Sequence, residues 1–254
     1  TGWKVVNTSY FMYFAVLASM LHGLTIPGAM EVAQRQKGFT KGLFEWLRKA
    51  PWGNPTFSGV FIALIGFGFL GGISGVMMGT EQLNMIIHNT IYVPGHFHAT
   101  VVIGTTLTFM ALTYYLIPVL FKREMINPGL AKWQPYLFGL SMYGFVLVMM
   151  GAGTLGVSRR HWDMAFQGAA LAYEWPGAAY LMMGLVGLTG VVAIAGGAIF
   201  VYITVGSLLW GRKLETGAES PKFTPIPRAA PTVAAQTYGS MGFAAPGTFV
   251  LAIV

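Results

Sequence analysis

The 254-residue chain contains no cysteine and few charged residues. The absence of cysteine excludes a disulfide framework, an iron–sulfur cluster and a thiolate zinc site built from this sequence. Charged residues make up 9% of the chain, whereas hydrophobic residues make up 55%. Because the apolar runs are long enough to cross a hydrocarbon core of about 30 Å, this composition indicates an integral membrane protein.

Five apolar stretches have the length of a membrane-spanning helix. They lie at residues 6–30, 56–78, 95–120, 134–157 and 177–210, and a sixth begins near residue 242 and stops at Val254. We therefore expect an all-α, polytopic membrane helix bundle with five complete spans and a truncated sixth. The 34 glycines fit helices that pack closely in lipid. The G-x-G-x-x-G pattern at 66–71 is interpreted as helix packing, because it lies inside a span and no strand precedes it.

The basic residues predict the orientation of the chain. Fifteen Lys and Arg residues exceed eight Asp and Glu residues, and most of the basic residues follow the first, third and fifth spans. By the positive-inside rule these three loops are cytoplasmic, and the loops at 79–94 and 158–176 face outward. The formal charge of +7 then reflects topology and contact with anionic lipid, not nucleic-acid binding.

Two histidines separated by one phenylalanine, His96-Phe97-His98, stand at the head of the third span. In an α-helix successive residues rotate by about 100°, so the two imidazoles project roughly 200° apart with an axial offset of about 3 Å. They cannot share one ion, because single-ion sites on a helix use i,i+3 or i,i+4 spacing. The spacing predicts two separate metal centres on opposite sides of the helix, and two haems side by side would fit.

The adjacent pair Arg159 and Arg160 is an exception to the charge rule, since it lies on the outer side at the end of an apolar helix. Two adjacent guanidinium groups at the end of an apolar helix are expected to bind nearby anions that neutralise their charge. Haem propionates are candidates, because planar carboxylates suit bidentate guanidinium contacts. An interfacial pair that only extends to water is the alternative.

Three segments follow one another in the chain: LFEWLRKAPWGNP at 43–55, HNTIYVPGHFH at 88–98, and Ser158-Arg159-Arg160. Together they closely resemble the C-terminal half of subunit I of the haem–copper oxidases, in the branch whose low-spin haem is of b type. The resemblance covers residues 1–215. The remainder is interpreted as a Pro- and Ala-rich cytoplasmic linker at 216–241 and the start of a further transmembrane helix at 242–254.

The resemblance implies a role for each residue of the motifs. It implies that His96 is the axial ligand of a high-spin haem of a or b type, and that His98 is one axial ligand of a low-spin haem of b type. Phe97 would lie between the haem edges and take part in the catalytic electron transfer. His88, Arg159 and Arg160 would lie at the haem propionates.

The same resemblance implies a cytochrome-c-type terminal respiratory oxidase that reduces O2 to water at a haem–copper centre, coupled to proton translocation. The copper ligands and the second ligand of the low-spin haem belong to the missing N-terminal half of subunit I. Other expected partners are membrane lipid and a subunit II with a copper centre or a cytochrome c-type donor. The expected location is a prokaryotic plasma membrane, with the haem side toward the outer face.

Two positions depart from the family pattern for proton transfer. Ser19 matches a serine of the single proton-input path, but the threonine expected three residues later is His22. A histidine can relay protons, because it has a donor and an acceptor nitrogen; a hydrogen bond to a neighbouring helix is the alternative. Asn84 stands where the branch has a carboxylate linked to proton release, so that step needs another site.

Two other functions stay open from the sequence. A nitric oxide reductase of the same superfamily, with iron in place of copper, joins two NO molecules to nitrous oxide. A haem-free membrane transporter fragment belongs to a different class. The tyrosine that distinguishes oxygen reductases lies in the missing helices.

Overall fold

The computed structural model describes residues 2–160 and 174–214. Within these ranges the chain forms helices and contains no β-strand. Five helical segments are long and apolar enough to cross a membrane, so the prediction of an all-α bundle with five complete spans is confirmed. The predicted linker at 216–241 and the predicted helix start at 242–254 lie outside the described residues.

Two of the spans change from α-helical to π-helical hydrogen bonding along their length. The first span is α1 (Gly2–Arg35), which is followed by the short helix α2 (Glu45–Arg48). The second span consists of α3 (Pro55–Ile65), the π-helical segment π1 (Gly66–Gly72) and α4 (Ile73–Gly79), followed by α5 (Glu81–Ile87). The third consists of α6 (Tyr92–Phe97), π2 (His98–Thr106), α7 (Leu107–Leu116) and π3 (Ile117–Phe121). The fourth span is α8 (Pro128–Thr154) and the fifth is α9 (Gly177–Trp210).

Asparagine and proline together start two of the spans. The Asn54 side-chain oxygen accepts hydrogen bonds from the backbone N–H groups of Thr56 at 2.9 Å and Phe57 at 3.3 Å. Pro55 follows at the first helical position, where its missing N–H costs no helical bond. Asn127 and Pro128 repeat this arrangement at the start of α8.

The second to fifth spans pack against one another, and α1 lies at the edge. α3 packs on α7, π1 on π2, α6 on α8, and α8 runs along α9. Ile103, Leu107 and Val146 are fully buried where the second, third and fourth spans meet. In contrast, 12% of the apolar window of α1 is buried inside the structure, against 33% for the second, third and fourth spans.

Glycines allow the close approach of the second and third spans. A Cβ on Gly71 would lie 2.8 Å from Cγ2 of Thr100, and one on Gly66 would overlap the side chain of Ile103. Both glycines belong to the G-x-G-x-x-G pattern, so its interpretation as helix packing is confirmed.

Backbone hydrogen bonds join the connecting segments at the two ends of the bundle. At one end the Ile91 N–H donates to the Val157 carbonyl at 2.9 Å. At the other end the Glu124 N–H donates to the Arg212 carbonyl at 2.8 Å. Residues 79–94 and 158–160 therefore share one end, and residues 122–127 and 211–214 share the other, as the charge pattern predicts.

A buried ion pair extends α1 beyond its apolar stretch. Glu31 Oε1 and Arg35 Nε lie 2.6 Å apart, and both side chains are almost fully buried. The Arg35 guanidinium also donates to the carbonyls of Thr40 at 3.3 Å and Gly42 at 3.2 Å. These bonds tie the loop after α1 to the helix, because a buried guanidinium needs acceptors for its N–H groups.

Candidate functional site

His96 lies in the last turn of α6 and faces the second span. Its Nδ1 atom is 2.8 Å from Oγ of Ser74 in α4. A Cβ on Gly75 would come 3.1 Å from Cε1 of the imidazole, so the absence of a side chain at residue 75 makes room for the ring. The imidazole is half-buried and is held on this side by α4.

His98 begins π2 and faces the fourth span instead. Its Nδ1 atom is 2.7 Å from the carbonyl oxygen of Pro94. Its ring packs against Phe145 of α8, with 5.2 Å between the ring centroids. A carbonyl oxygen only accepts hydrogen bonds, so Nδ1 of His98 carries the proton and Nε2 has a free lone pair.

The two imidazoles therefore lie against different helices, on either side of the third span. The hydrogen bonds described for both rings involve Nδ1, and the Gly71 carbonyl is a further backbone acceptor beside His96. Unprotonated Nε2 with Nδ1 held by an acceptor is the usual arrangement of a metal-binding histidine. The two imidazoles are therefore held separately and do not converge on one ion.

The side chain of Phe97 projects from the helix between the directions of His96 and His98, and it is exposed. Its side chain is 54% exposed, and its ring is edge-on to His98 with 6.0 Å between centroids.

The segment before the third span and the segment after the fourth meet at the same end of the bundle. Arg159 donates through Nη2 to the side-chain oxygen of Asn89 at 2.9 Å, and through its backbone N–H to the Asn89 carbonyl at 2.9 Å. His88 is the next residue back, is exposed, and ends α5. The structure thus brings His88 and Arg159, which are predicted to share a site, to neighbouring positions although they are distant in sequence.

Arg160 is exposed and has no hydrogen bond to another described residue. Its backbone has a φ of +67°, a conformation that residues with a Cβ rarely adopt. Strain of this kind is maintained by the surrounding structure and concentrates at functional sites.

Three polar residues in the middle of α1 lie on its uncovered surface. Ser19 and His22 are both exposed, and the Ser19 hydroxyl donates to the Ala15 carbonyl at 3.3 Å. Thr25 is exposed as well and donates to the Leu21 carbonyl at 2.8 Å. Exposed polar groups within a membrane span are costly in lipid, so this surface calls for a protein neighbour or a water-filled path.

Asn84 occupies a polar recess at the start of α1. Its side-chain amide donates to the Met78 carbonyl at 2.7 Å. Lys4, Thr8 and Glu81 line the same recess. The side chain of Asn84 thus has a local structural partner.

Sequence reasoning missed the residues that hold the histidines. Ser74, Gly75 and Phe145 are 20 residues or more from the histidine each contacts, so no local spacing links them to the motif. A serine and a glycine within an otherwise apolar span were the available signal.

The structure defines a membrane helix bundle whose third span carries two separately held imidazoles. The chain belongs to the family described as "Cytochrome C and Quinol oxidase polypeptide I", whose model matches residues 1–188. Cytochrome c oxidase subunit 1 of Thermus thermophilus is 33% identical over 223 residues, which are 86% of this chain and 38% of that protein. A Staphylococcus aureus protein described as "Probable quinol oxidase subunit 1" is 24% identical over 202 residues, which are 78% of this chain and 29% of that protein.

A solved structure has a similar fold. It is a heme-copper terminal oxidase dimer determined by cryo-EM, with a TM-score of 0.74 and 27% identity over 93% of this chain and 41% of that one. The chain spans about two fifths or less of the length of these relatives.

Proposed function

We propose that this chain is the C-terminal part of the catalytic subunit of a haem–copper terminal oxidase that reduces O2 to water. The observation that carries the proposal is the opposed pair of imidazoles: His96 is held by α4 through Nδ1, and the ring of His98 packs against α8. In this proposal His96 is the axial ligand of the high-spin haem, and His98 is an axial ligand of the low-spin haem of b type.

The residues present fit two haems. Imidazole nitrogen is a common haem ligand, and the glycine at residue 75 makes room for the ring of His96. The described residues contain no group of three or more His, Asp or Glu side chains that could hold a metal ion. A haem needs only one axial ligand from each of these positions, since its porphyrin supplies the other nitrogens.

When bound, the haems and the copper would transfer electrons and bind O2. The residues of this chain would orient these groups. The Pro94 carbonyl and the Phe145 ring orient His98, and the exposed ring of Phe97 would lie between the two haems. A rigid hold on each imidazole keeps the distance between the centres constant.

Arg159 and Arg160, with His88 beside them, would bind the haem propionates. Arg159 is oriented by Asn89, and Arg160 is exposed without a described partner. Guanidinium groups neutralise carboxylates through charge-assisted hydrogen bonds, which also raise the potential of a nearby haem.

Ser19 and His22 would carry protons toward the catalytic centre along the uncovered surface of α1. Both are exposed within a membrane span, and they are three residues apart, so they lie on neighbouring positions of one helix face. Proton translocation would accompany oxygen reduction, with a release site other than Asn84, which has no ionisable group.

The missing N-terminal half of subunit I would cover this surface of α1 and supply the copper ligands and the second ligand of the low-spin haem. Electrons would come from a cytochrome c-type donor through a subunit II. The identity of 33% to a cytochrome c oxidase subunit, against 24% to a quinol oxidase subunit, supports this donor. The membrane would be a prokaryotic plasma membrane, and the basic residues after the first, third and fifth spans support an orientation with the haem side outward.

The test is a purified complex in which this chain is produced with its N-terminal half. We expect a pyridine haemochrome spectrum with two haems per complex, and O2 uptake with reduced cytochrome c. NO consumption without O2 uptake would indicate the nitric oxide reductase alternative. A complex without haem would contradict both and favour the transporter fragment.

A further inference from the structure

Ser74 is a buried hydroxyl in α4 that faces His96. Ser74 is 3% exposed, and its Oγ lies 2.8 Å from Nδ1 of the imidazole. The same oxygen contacts the carbonyl of Leu70 one turn earlier and lies 3.1 Å from the carbonyl of Gly71. No described side chain other than Ser74 contacts Nδ1 of His96.

The hydrogen-bond inventory of a serine decides the direction of this contact. A hydroxyl has one proton to donate and two lone pairs that accept. The carbonyls of Leu70 and Gly71 compete with Nδ1 of His96 for this single proton, and we assign it to the helix backbone, as is common for serine within a helix. With this assignment the hydroxyl accepts, and the donor is the Nδ1–H group of His96.

We propose that Ser74 is a positioning residue for His96: its hydroxyl accepts the Nδ1–H hydrogen bond, fixes the tautomer with Nε2 free, and strengthens the bond from Nε2 to the haem iron. This inference rests on the proposed role of His96 as the axial ligand. A hydroxyl that donates to a carbonyl is a better acceptor, because hydrogen bonds in a chain polarise one another. An acceptor at Nδ1 raises the basicity of the ligating nitrogen.

The experiment uses the complete oxidase complex and compares Ser74→Thr with Ser74→Val. The two replacements have nearly the same shape, but only threonine keeps a hydroxyl, so crowding in the buried site affects both alike. Ser141→Ala is the matched control. Ser141 donates to the Leu137 and Phe138 carbonyls at 2.6 and 2.9 Å, as Ser74 does to its own turn, and it has no hydrogen bond to a histidine of the described ranges.

The measurement is the iron–histidine stretching band of the reduced, ligand-free high-spin haem by resonance Raman spectroscopy. We expect Ser74→Val to shift the band to lower frequency and to raise the midpoint potential of this haem, because a less basic imidazole stabilises the oxidised iron less. Ser74→Thr and Ser141→Ala should keep the wild-type frequency. The Gly71 carbonyl is a second acceptor near the imidazole. Since it can still accept a hydrogen bond from His96 in Ser74→Val, we expect a smaller frequency shift than complete loss of the hydrogen bond would cause.

Equal bands in Ser74→Thr and Ser74→Val would overturn the role of Ser74, whether or not both differ from the wild type. The ligand role of His96 is tested separately by His96→Ala. If the iron–histidine band of the high-spin haem persists in His96→Ala, another residue is the ligand and the role of His96 is overturned. The two failures are therefore distinguishable.

Discussion

The carbonyl oxygen of Pro94 accepts a hydrogen bond from Nδ1 of His98, one helical turn later, at 2.7 Å. Because this bond requires the proton on Nδ1, it prepares Nε2 as a ligand on the side of α8. His96 is prepared from the opposite side by a serine of α4. The two histidines are thus presented by one span but oriented by two different neighbours, and changes near one should leave the other intact.

The first prediction concerns the space beside His96. A methyl group on Gly75 would lie 3.1 Å from Cε1 of the ring, so Gly75→Ala should displace the imidazole by a few tenths of an ångström. We expect a lower fraction of CO-binding high-spin haem and an unchanged low-spin spectrum. The measurement is the CO difference spectrum of the purified complex.

Gly68→Ala is the control for this change, because Gly68 lies in the same span and a Cβ there would meet no atom within 4 Å. Equal loss of both haems in Gly75→Ala, or equal effects of the two substitutions, would contradict a specific contact with His96.

The second prediction concerns Arg160. Removal of its charge by Arg160→Leu should lower a haem midpoint potential, since a nearby positive charge favours the reduced state. At a partly hydrated site, loss of this charge should change the free energy of haem reduction by about 1 kcal/mol, which lowers the midpoint potential by about 40 mV for one electron. Redox titration followed by optical absorption measures it. Arg160→Lys should retain most of the potential because it keeps the charge.

Unchanged potentials of both haems in Arg160→Leu and in Arg159→Leu would show that the pair only extends to water. Arg159→Leu should in addition disturb the local fold, because it removes the hydrogen bond to the Asn89 side chain.

The third prediction concerns His22, which is exposed on α1. If His22 relays protons, His22→Leu should slow turnover about tenfold or more while both haem spectra stay intact. The slow step should be reduction of the high-spin haem in stopped-flow measurements. His22→Thr should keep much of the activity, because threonine supplies a hydroxyl at the same position.

Wild-type turnover in His22→Leu would remove His22 from the mechanism. It would leave a structural histidine and favour proton supply from the outer face.

Hydropathy alone predicted the five spans, but not where they end. The first span continues to Arg35 because Glu31 and Arg35 neutralise each other inside the structure, whereas a hydropathy window stops before charges. The fourth begins at Pro128, six residues before the predicted start, owing to an Asn-Pro start signal that precedes the apolar run. The π-helical segments have no signal in a single sequence.

The candidate site was predictable only where its chemistry is local. The spacing of His96 and His98 in one helix was sufficient to predict imidazoles on opposite sides of that helix, because helix geometry fixes the angle between them. Their partners Ser74 and Phe145 come from other spans, so they depend on tertiary packing that spacing does not encode. The pairing of Arg159 with Asn89 is of the same kind.

The central claim is that His96 and His98 bind two different haems, and the optical spectra of His96→Ala and His98→Ala in the complete complex test it most directly. We expect His98→Ala to lose the six-coordinate low-spin signal and retain high-spin haem, and His96→Ala to do the reverse. His22→Leu, a histidine substitution in another span, should retain both signals. Identical losses in the two alanine variants, with neither haem retained preferentially, would contradict the account.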